Sequence, residues 1–280
     1  MWYYIIMKKK IVKKKNLIIG ILFFISLSIM IYSIYKIFIW KSENDETDRL
    51  LEHIKDVAVK ENKTNEKEQV NDFDDTVEKT NPFWQYSEMN TKYIDFNELK
   101  EINKKTVGWI EVKGTNVNIP FVQTNDNKYY LTHSFDNSYN SSGWAFLDYR
   151  NDKNMQDKNN IIYTHGRKNG SMFGSLRNLL KKEWQNNKKN YVINIITEKE
   201  TTLWQIFSVY YLPTTNDYIK VNFNSNDEFD SFIKLIKERS MFDFKNDVNI
   251  NDKVLTLSTC YSEKEKLVVH AKLIEKDWLT

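Results

Sequence analysis

The 280-residue chain carries 28% charged and 14% aromatic residues, the make-up of a folded protein rather than a disordered one. Its formal charge of +3 hides a segregation, because residues 1–16 hold six lysines and no acid while residues 41–80 hold 13 acidic against 7 basic side chains. No basic patch interleaved with aromatics stands out in the remainder, so nucleic acid is not an expected partner.

Taken in chain order, residues 1–16 read as a basic cytoplasmic segment and residues 17–40 as a transmembrane signal-anchor. Leu17 to Tyr35 contains no charge, and Ile37 to Trp40 extend the apolar stretch past Lys36. That length suffices for a bilayer core, which takes about 20 residues at about 1.5 Å each. No A-x-A-like cleavage site follows, so the anchor is expected to stay uncleaved. Lysines 8–10 and 13–15 precede the span and acids follow it, which puts the N-terminus in the cytoplasm and the bulk of the chain outside. Met7 directly precedes the basic run and is a second candidate start. Residues 41–82 read as a polar, charged spacer, with one short amphipathic helix around Leu50, Leu51, Ile54, Val57 and Val59 and with Pro82 near its end.

Residues 83–280 read as the folded domain. Asp95 is placed to cap a helix, with Glu98 three residues on completing a capping box. The pattern then turns to alternation. Trp109–Val112, Val117–Val122, Trp144–Leu147, Ile161–Thr164, Tyr191–Thr197, Thr202–Leu212, Val254–Ser258 and Leu267–Ile274 are predicted strands. Two helices interrupt them. One spans Met172–Lys182. The other spans Asp227–Arg239, with Phe229, Phe232, Ile233, Leu235 and Ile236 as its apolar stripe and Ser225 or Asn226 as cap. Eight strands with few helices point to a mainly β, closed or nearly closed barrel.

Candidate chemistry is sparse. The lone cysteine, Cys260, cannot form an intramolecular disulfide, and it follows a strongly β-prone run at a strand end, where a thiol is accessible. A buried cysteine acting as a small hydrophobe is the alternative, and the residues alone leave both open. Of four histidines, His53 falls in the spacer, His133 reads as a packed loop residue and His270 lies within an apolar strand. His165 ends a strand and opens a glycine-containing loop, a place where a side chain is held rigidly yet faces a cleft. One Cys and scattered His give no metal-ligand spacing, and no phosphate-binding glycine loop is present, so no cofactor is expected. Spacing alone leaves a Ser–His–Asp arrangement open, although there is no G-x-S-x-G elbow.

Four segments in order carry a resemblance. Thr256-Leu257-Ser258-Thr259-Cys260 resembles the TLxTC signature of sortases, in the form common in class B. Asn160 to His165, followed by Lys168 to Phe173, resembles the class B histidine segment. Asn103 to Phe135 and Leu147 to Asn151 also resemble that class. The resemblance spans about residues 83–276. It implies an eight-stranded sortase-like β-barrel with an N-terminal helical extension and a helix inserted before the penultimate strand. It further implies that Cys260 attacks the carbonyl after Thr in a sorting signal of NPxTN or LPxTG type and holds a thioacyl intermediate, which an amine of peptidoglycan or its precursor resolves. His165 would serve as acid and then base, with Ser258, Thr259 and Arg167 near the peptide. The partners so implied are surface proteins bearing a C-terminal sorting signal, the wall precursor, and the membrane through residues 17–40.

One residue departs from the pattern. Sortases carry an arginine at the start of the last strand, and here Lys266 fills that slot, with no arginine after Cys260. Lysine is a point charge on a flexible stem, whereas arginine offers a planar fork of donors. Three readings stay open: Lys266 does the arginine's work, Arg167 reaches in from the loop after His165, or the protein binds sorting signals without turning them over. A solvated strand-edge lysine is the plain alternative for Lys266. A pilin-polymerising enzyme on the same barrel is a further possibility. Such enzymes often carry a second, C-terminal span, and this sequence shows none up to Thr280.

Overall fold

Eight strands whose apolar residues alternate over long runs close on one another in this computed structural model, which describes residues 1–60, 93–213, 215–260 and 265–274. For residues 4–6, 8–13 and 260 only the backbone is described. The chain divides into two compact units, Met1–Arg49 and Leu50–Thr280. The helix α1 (Trp2–Ala58) contains a stretch long and apolar enough to cross a membrane, with Ile18, Leu22, Phe23, Ile29 and Ile34 all exposed along it.

In the second unit, the last turns of α1 bring Ile54 and Ala58, both fully buried, into the main core. The amphipathic helix expected there is present. Its apolar face is packed into the folded unit, so residues 50–58 are part of the domain and not of a spacer. The rest of the expected spacer, residues 61–82, and the expected domain start at residue 83 lie outside the described residues. A short ribbon follows, β1 (Val59–Lys60) against β2 (Tyr93–Ile94). Next comes α2 (Phe96–Ile102), capped by the Asp95 carboxylate, which accepts from the backbone N–H groups of Asn97 and Glu98. That contact satisfies donors that a helix start leaves unpaired.

The barrel strands are β3 (Thr106–Val112), β4 (Asn118–Val122), β5 (Phe146–Leu147), β6 (Asn159–His165), β7 (Val192–Thr197), β8 (Thr201–Pro213), β9 (Val254–Cys260) and β10 (Glu265–Ile274). Their order around the barrel is β10-β8-β7-β3-β4-β5-β6-β9, and β9 pairs β10 to close it. Two contacts are parallel, β4 with β5 and β6 with β9. Between β6 and β7 the expected helix appears as a 3-10 segment, Phe173–Leu180, followed by a single α-turn, α3 (Lys182–Gln185). The run Phe-Gly-Ser-Leu-Arg-Asn contains residues that favour an α-helix weakly. Gly174 also sits directly against the Arg167 backbone, where a β-carbon has no room.

The helix α4 (Asn226–Glu238) lies between β8 and β9, before the penultimate strand, as expected. The Ser225 side chain caps it by accepting from the Glu228 N–H. Its stripe of Phe229, Phe232, Ile233 and Ile236 is buried against Phe207, Tyr210, Val254 and Val268. Each such side chain contributes roughly 1.5–3 kcal/mol by leaving water. The barrel wall made by β8, β10 and β9 therefore has apolar residues packed on both sides. Trp204, Ile206, Val209, Leu255 and Leu257 belong to the main core, and Phe207, Tyr210, Leu212, Val254 and Val268 belong to the core beneath α4.

Candidate active site

The two strands that end in the sequence's most distinctive residues are neighbours. In the parallel β6–β9 pair, His165 is the Cα partner of Cys260. In the antiparallel β9–β10 pair, Lys266 is the Cα partner of the same cysteine. Adjacent strands run about 4.8 Å apart, so the three α-carbons fall within about 10 Å in one row. The Cys260 side chain lies outside the described residues. Residues at matched register share a face of the sheet, and the rows below it on that face are Tyr163–Ser258–Val268 and Ile161–Thr256–His270.

His165 is half-buried and fixed by one bond, from Nε2 to the Leu131 carbonyl at 2.8 Å. A carbonyl only accepts, so Nε2 carries the hydrogen and Nδ1 is left as the nitrogen that exchanges a proton. Leu131 is held in turn by its surroundings. The Asn103 amide donates to the Tyr130 hydroxyl at 2.7 Å and to the Phe135 carbonyl at 2.5 Å, and the Trp144 N–H donates to the Tyr130 carbonyl at 2.8 Å. Gly143 adopts φ +60° there, and a β-carbon on it would stand 2.5 Å from the Tyr130 oxygen, 2.9 Å from the Leu131 oxygen and 3.1 Å from His165 Cδ2. Only glycine lets this segment close on the imidazole.

Lys266 is half-buried and is not on a strand edge, since β10 is paired on both sides. Its ammonium lies 5.9 Å from the centre of the Tyr218 ring. Tyr218 is fully buried, and its hydroxyl meets Ser258 Oγ at 2.9 Å. Ser258 thus sits two residues before Cys260 on the shared face, whereas Thr259 alternates to the inner face with Leu255 and Leu257, buried and away from the row. Arg167 stands in the loop beyond β6, with its backbone carbonyl accepting from Gly170 and its side chain half-buried.

Next to the row sits a polar hub. Asp148 is fully buried and accepts from Arg150 Nε (2.8 Å), Arg150 Nη2 (2.7 Å), Asn127 Nδ2 (2.9 Å) and the Tyr163 hydroxyl (2.9 Å). Burial alone would raise its pKa, and the donors from Arg150 and Tyr163 outweigh that, leaving the carboxyl below its ordinary value. Burial, then the Asp148 charge, pushes the Tyr163 phenol upward, so it stays a neutral donor.

His270 is fully buried behind the row. Tyr210 Oη lies 2.9 Å from Nε2 and Thr256 Oγ1 lies 2.9 Å from Nδ1. Thr256 donates onward to Asn159 Oδ1 at 2.6 Å, so it accepts from Nδ1. Burial, with the Arg239 charge second, pulls the imidazole down to about 3. It is a neutral hydrogen-bonding core residue. His133 stacks on Tyr129 with ring centres 4.0 Å apart, and His53 is exposed on α1.

Sequence reasoning singled out His165, Cys260 and Lys266 and had no means to find Tyr218, Leu131 as the His165 acceptor, or the requirement for Gly143. Tyr218 is 40 residues from the serine it touches, and no local pattern marks that contact.

The sortase domain family matches residues 110–274, more than half of the chain. Sortase B of Listeria monocytogenes is 34% identical over 187 residues, covering 65% of this chain and 75% of that protein. A Bacillus anthracis protein described as similar to sortase B, solved by crystallography, superposes with a TM-score of 0.59 at 40% identity, covering 65% of this chain and 83% of that one. The Staphylococcus aureus sortase B–substrate complex gives 0.60 at 33% identity, covering 64% and 84%. With the eight-stranded barrel, the helix before the penultimate strand and the signature at the end of β9, these matches establish that the chain belongs to the sortase family of transpeptidases, within class B.

Proposed function

We propose that the protein is a membrane-anchored cysteine transpeptidase that cleaves a sorting signal of NPxTN or LPxTG type after its threonine and joins the new carboxyl end to a peptidoglycan amine. The observation that carries the reading is the row in which His165, Cys260 and Lys266 are Cα partners across three adjacent strands. Acyl transfer by a thiol needs these three parts: a nucleophile, a proton carrier and a positive donor for the oxyanion.

In the first step the Cys260 thiolate adds to the threonine carbonyl carbon, and the oxygen takes the negative charge beside the Lys266 ammonium. The C–N bond then breaks, and the departing amine takes its proton from His165 Nδ1. In the second step an incoming amine adds to the thioester and gives a proton to His165 Nδ1, and the C–S bond breaks to restore the thiolate. The Nε2–H bond to the Leu131 carbonyl keeps the imidazole in one orientation through both steps. Ser258, two residues before Cys260 on the same face, is buried beneath the row with its hydroxyl bonded to Tyr218. Residues 17–40 anchor the enzyme with its N-terminus in the cytoplasm and the barrel outside, where sorting signals and wall precursors meet it.

The test is cleavage of a small peptide library by the full chain in detergent micelles, with Cys260→Ala as control. Mass spectrometry with added amines separates hydrolysis from transfer. The reading requires cleavage after threonine by the wild type alone, with the amine captured on the new end. Binding of such peptides with no turnover would replace it with a non-catalytic peptide-binding barrel.

A further inference from the structure

The segment between β8 and α4 carries Tyr218; Arg239 grips Asp217 on one side of it, Asn159 donates to the Lys220 carbonyl at 2.8 Å on the other, and Arg150 fastens the residue between. Arg150 donates from Nη2 to the Ile219 carbonyl at 2.9 Å, while the same guanidinium grips Asp148 through Nε and Nη2. Asp148 is itself immobile, being fully buried and held by Asn127 and Tyr163. The fork thus carries the fixed position of a buried carboxylate to the backbone of residue 219. One residue earlier, Tyr218 lies between Ser258 and the Lys266 ammonium.

This matters in a site where lysine stands for arginine. A planar guanidinium is oriented by its own geometry, whereas an ammonium on a four-carbon stem is free to wander unless a neighbour holds it. A tyrosine face attracts a cation within about 6 Å of its centre, and does so more strongly where water is excluded. We propose that Arg150 is a positioning residue: through its bond to the Ile219 carbonyl it holds the Tyr218 ring where it keeps the Lys266 ammonium on the Cys260 row. The kinetic part of this rests on the proposed function, in which Lys266 faces the oxyanion. The latch itself is a matter of geometry.

Two measurements test it on the full chain in micelles. In the first, lysines are reductively methylated with carbon-13, and the Lys266 signal is assigned by its disappearance in Lys266→Arg. The wild type is expected to show that signal displaced by the Tyr218 ring current. Arg150→Lys keeps a positive charge facing Asp148 but lacks the fork to reach both partners, so it is expected to lose the displacement, as is Tyr218→Leu. Persistence of the displacement in folded Arg150→Lys overturns the proposal. In the second, Arg150→Lys is expected to lower kcat for a sorting peptide about tenfold, the size of one hydrogen bond to a charged group, with KM unchanged. In a Lys266→Ala background it is expected to cost nothing further. A merely structural Arg150 would act alike in both backgrounds, and that result also overturns the proposal. Should the wild type cleave no sorting peptide, the proposed function fails, and the ring-current measurement still decides the latch.

Discussion

Acidification is expected to weaken this fold through His270, well before its carboxylates are protonated. The imidazole is fully buried, bonded at both nitrogens, and held down to about 3 by burial and then by the Arg239 charge. In the unfolded chain it takes a proton near pH 6.5. Between those values the unfolded state binds a proton that the folded state refuses, so stability falls as pH falls through that window. The slope is about 1.4 kcal/mol per pH unit, hence about 2 kcal/mol between pH 6.5 and 5. The assay is urea unfolding of the full chain in micelles, followed by tryptophan fluorescence, for the wild type and His270→Gln at several pH values. The variant is less stable at pH 7, because it disturbs the bonds to Tyr210 and Thr256. It has no group to titrate at that site, so the gap between the two proteins should narrow by about 2 kcal/mol on going to pH 5. A gap that stays constant over that range would refute the reasoning, because it would mean His270 takes up its proton equally in both states.

Three further outcomes are expected. Gly143→Ala should cost at least about 1–2 kcal/mol from the left-handed backbone alone. It should also lower kcat, because the new methyl displaces the Leu131 carbonyl that orients His165; thermal unfolding and peptide cleavage read the two effects. Lys266→Ala should lower cleavage on the order of 10²–10³-fold, the cost of losing an oxyanion donor, while Lys264→Ala leaves it near wild type; equal and small effects would remove Lys266 from the site. Ile54→Ala should destabilise the barrel unit by about 2–4 kcal/mol as a buried aliphatic deletion, and a fragment beginning at residue 83 should melt below one beginning at Leu50, both measured by circular dichroism.

Where local pattern carries the fold, the sequence was legible. The apolar stripe of α4 repeats at helical spacing and is buried at Phe229, Phe232, Ile233 and Ile236, with Leu235 half-buried, and the Asp95 and Ser225 caps stand where side-chain oxygens precede helical runs. The 3-10 segment at Phe173–Leu180 escaped because its course is set by Gly174 lying on the Arg167 backbone, a tertiary contact. The packing of Ile54 and Ala58 escaped because an amphipathic turn looks the same whether or not a partner covers it. In the site, strand ends marked His165 and Cys260, and a familiar slot marked Lys266. Pairing in a closed barrel made them one row, and register between strands 95 residues apart is not written in either strand alone. Tyr218 and the Arg150 latch depend on how a loop returns to the wall, so no spacing announces them.

The central claim is that Cys260 carries the acyl group. The direct measurement is intact-mass spectrometry of the full chain in micelles, mixed rapidly with a peptide of NPxTN or LPxTG type and quenched in acid. The account predicts a species heavier by the peptide up to and including its threonine, mapped to Cys260, absent in Cys260→Ala, enriched when no amine is supplied and depleted when a glycine-based amine is added. Release of the threonine-ended product by the wild type with no adduct on Cys260, or equal release by Cys260→Ala, would contradict it.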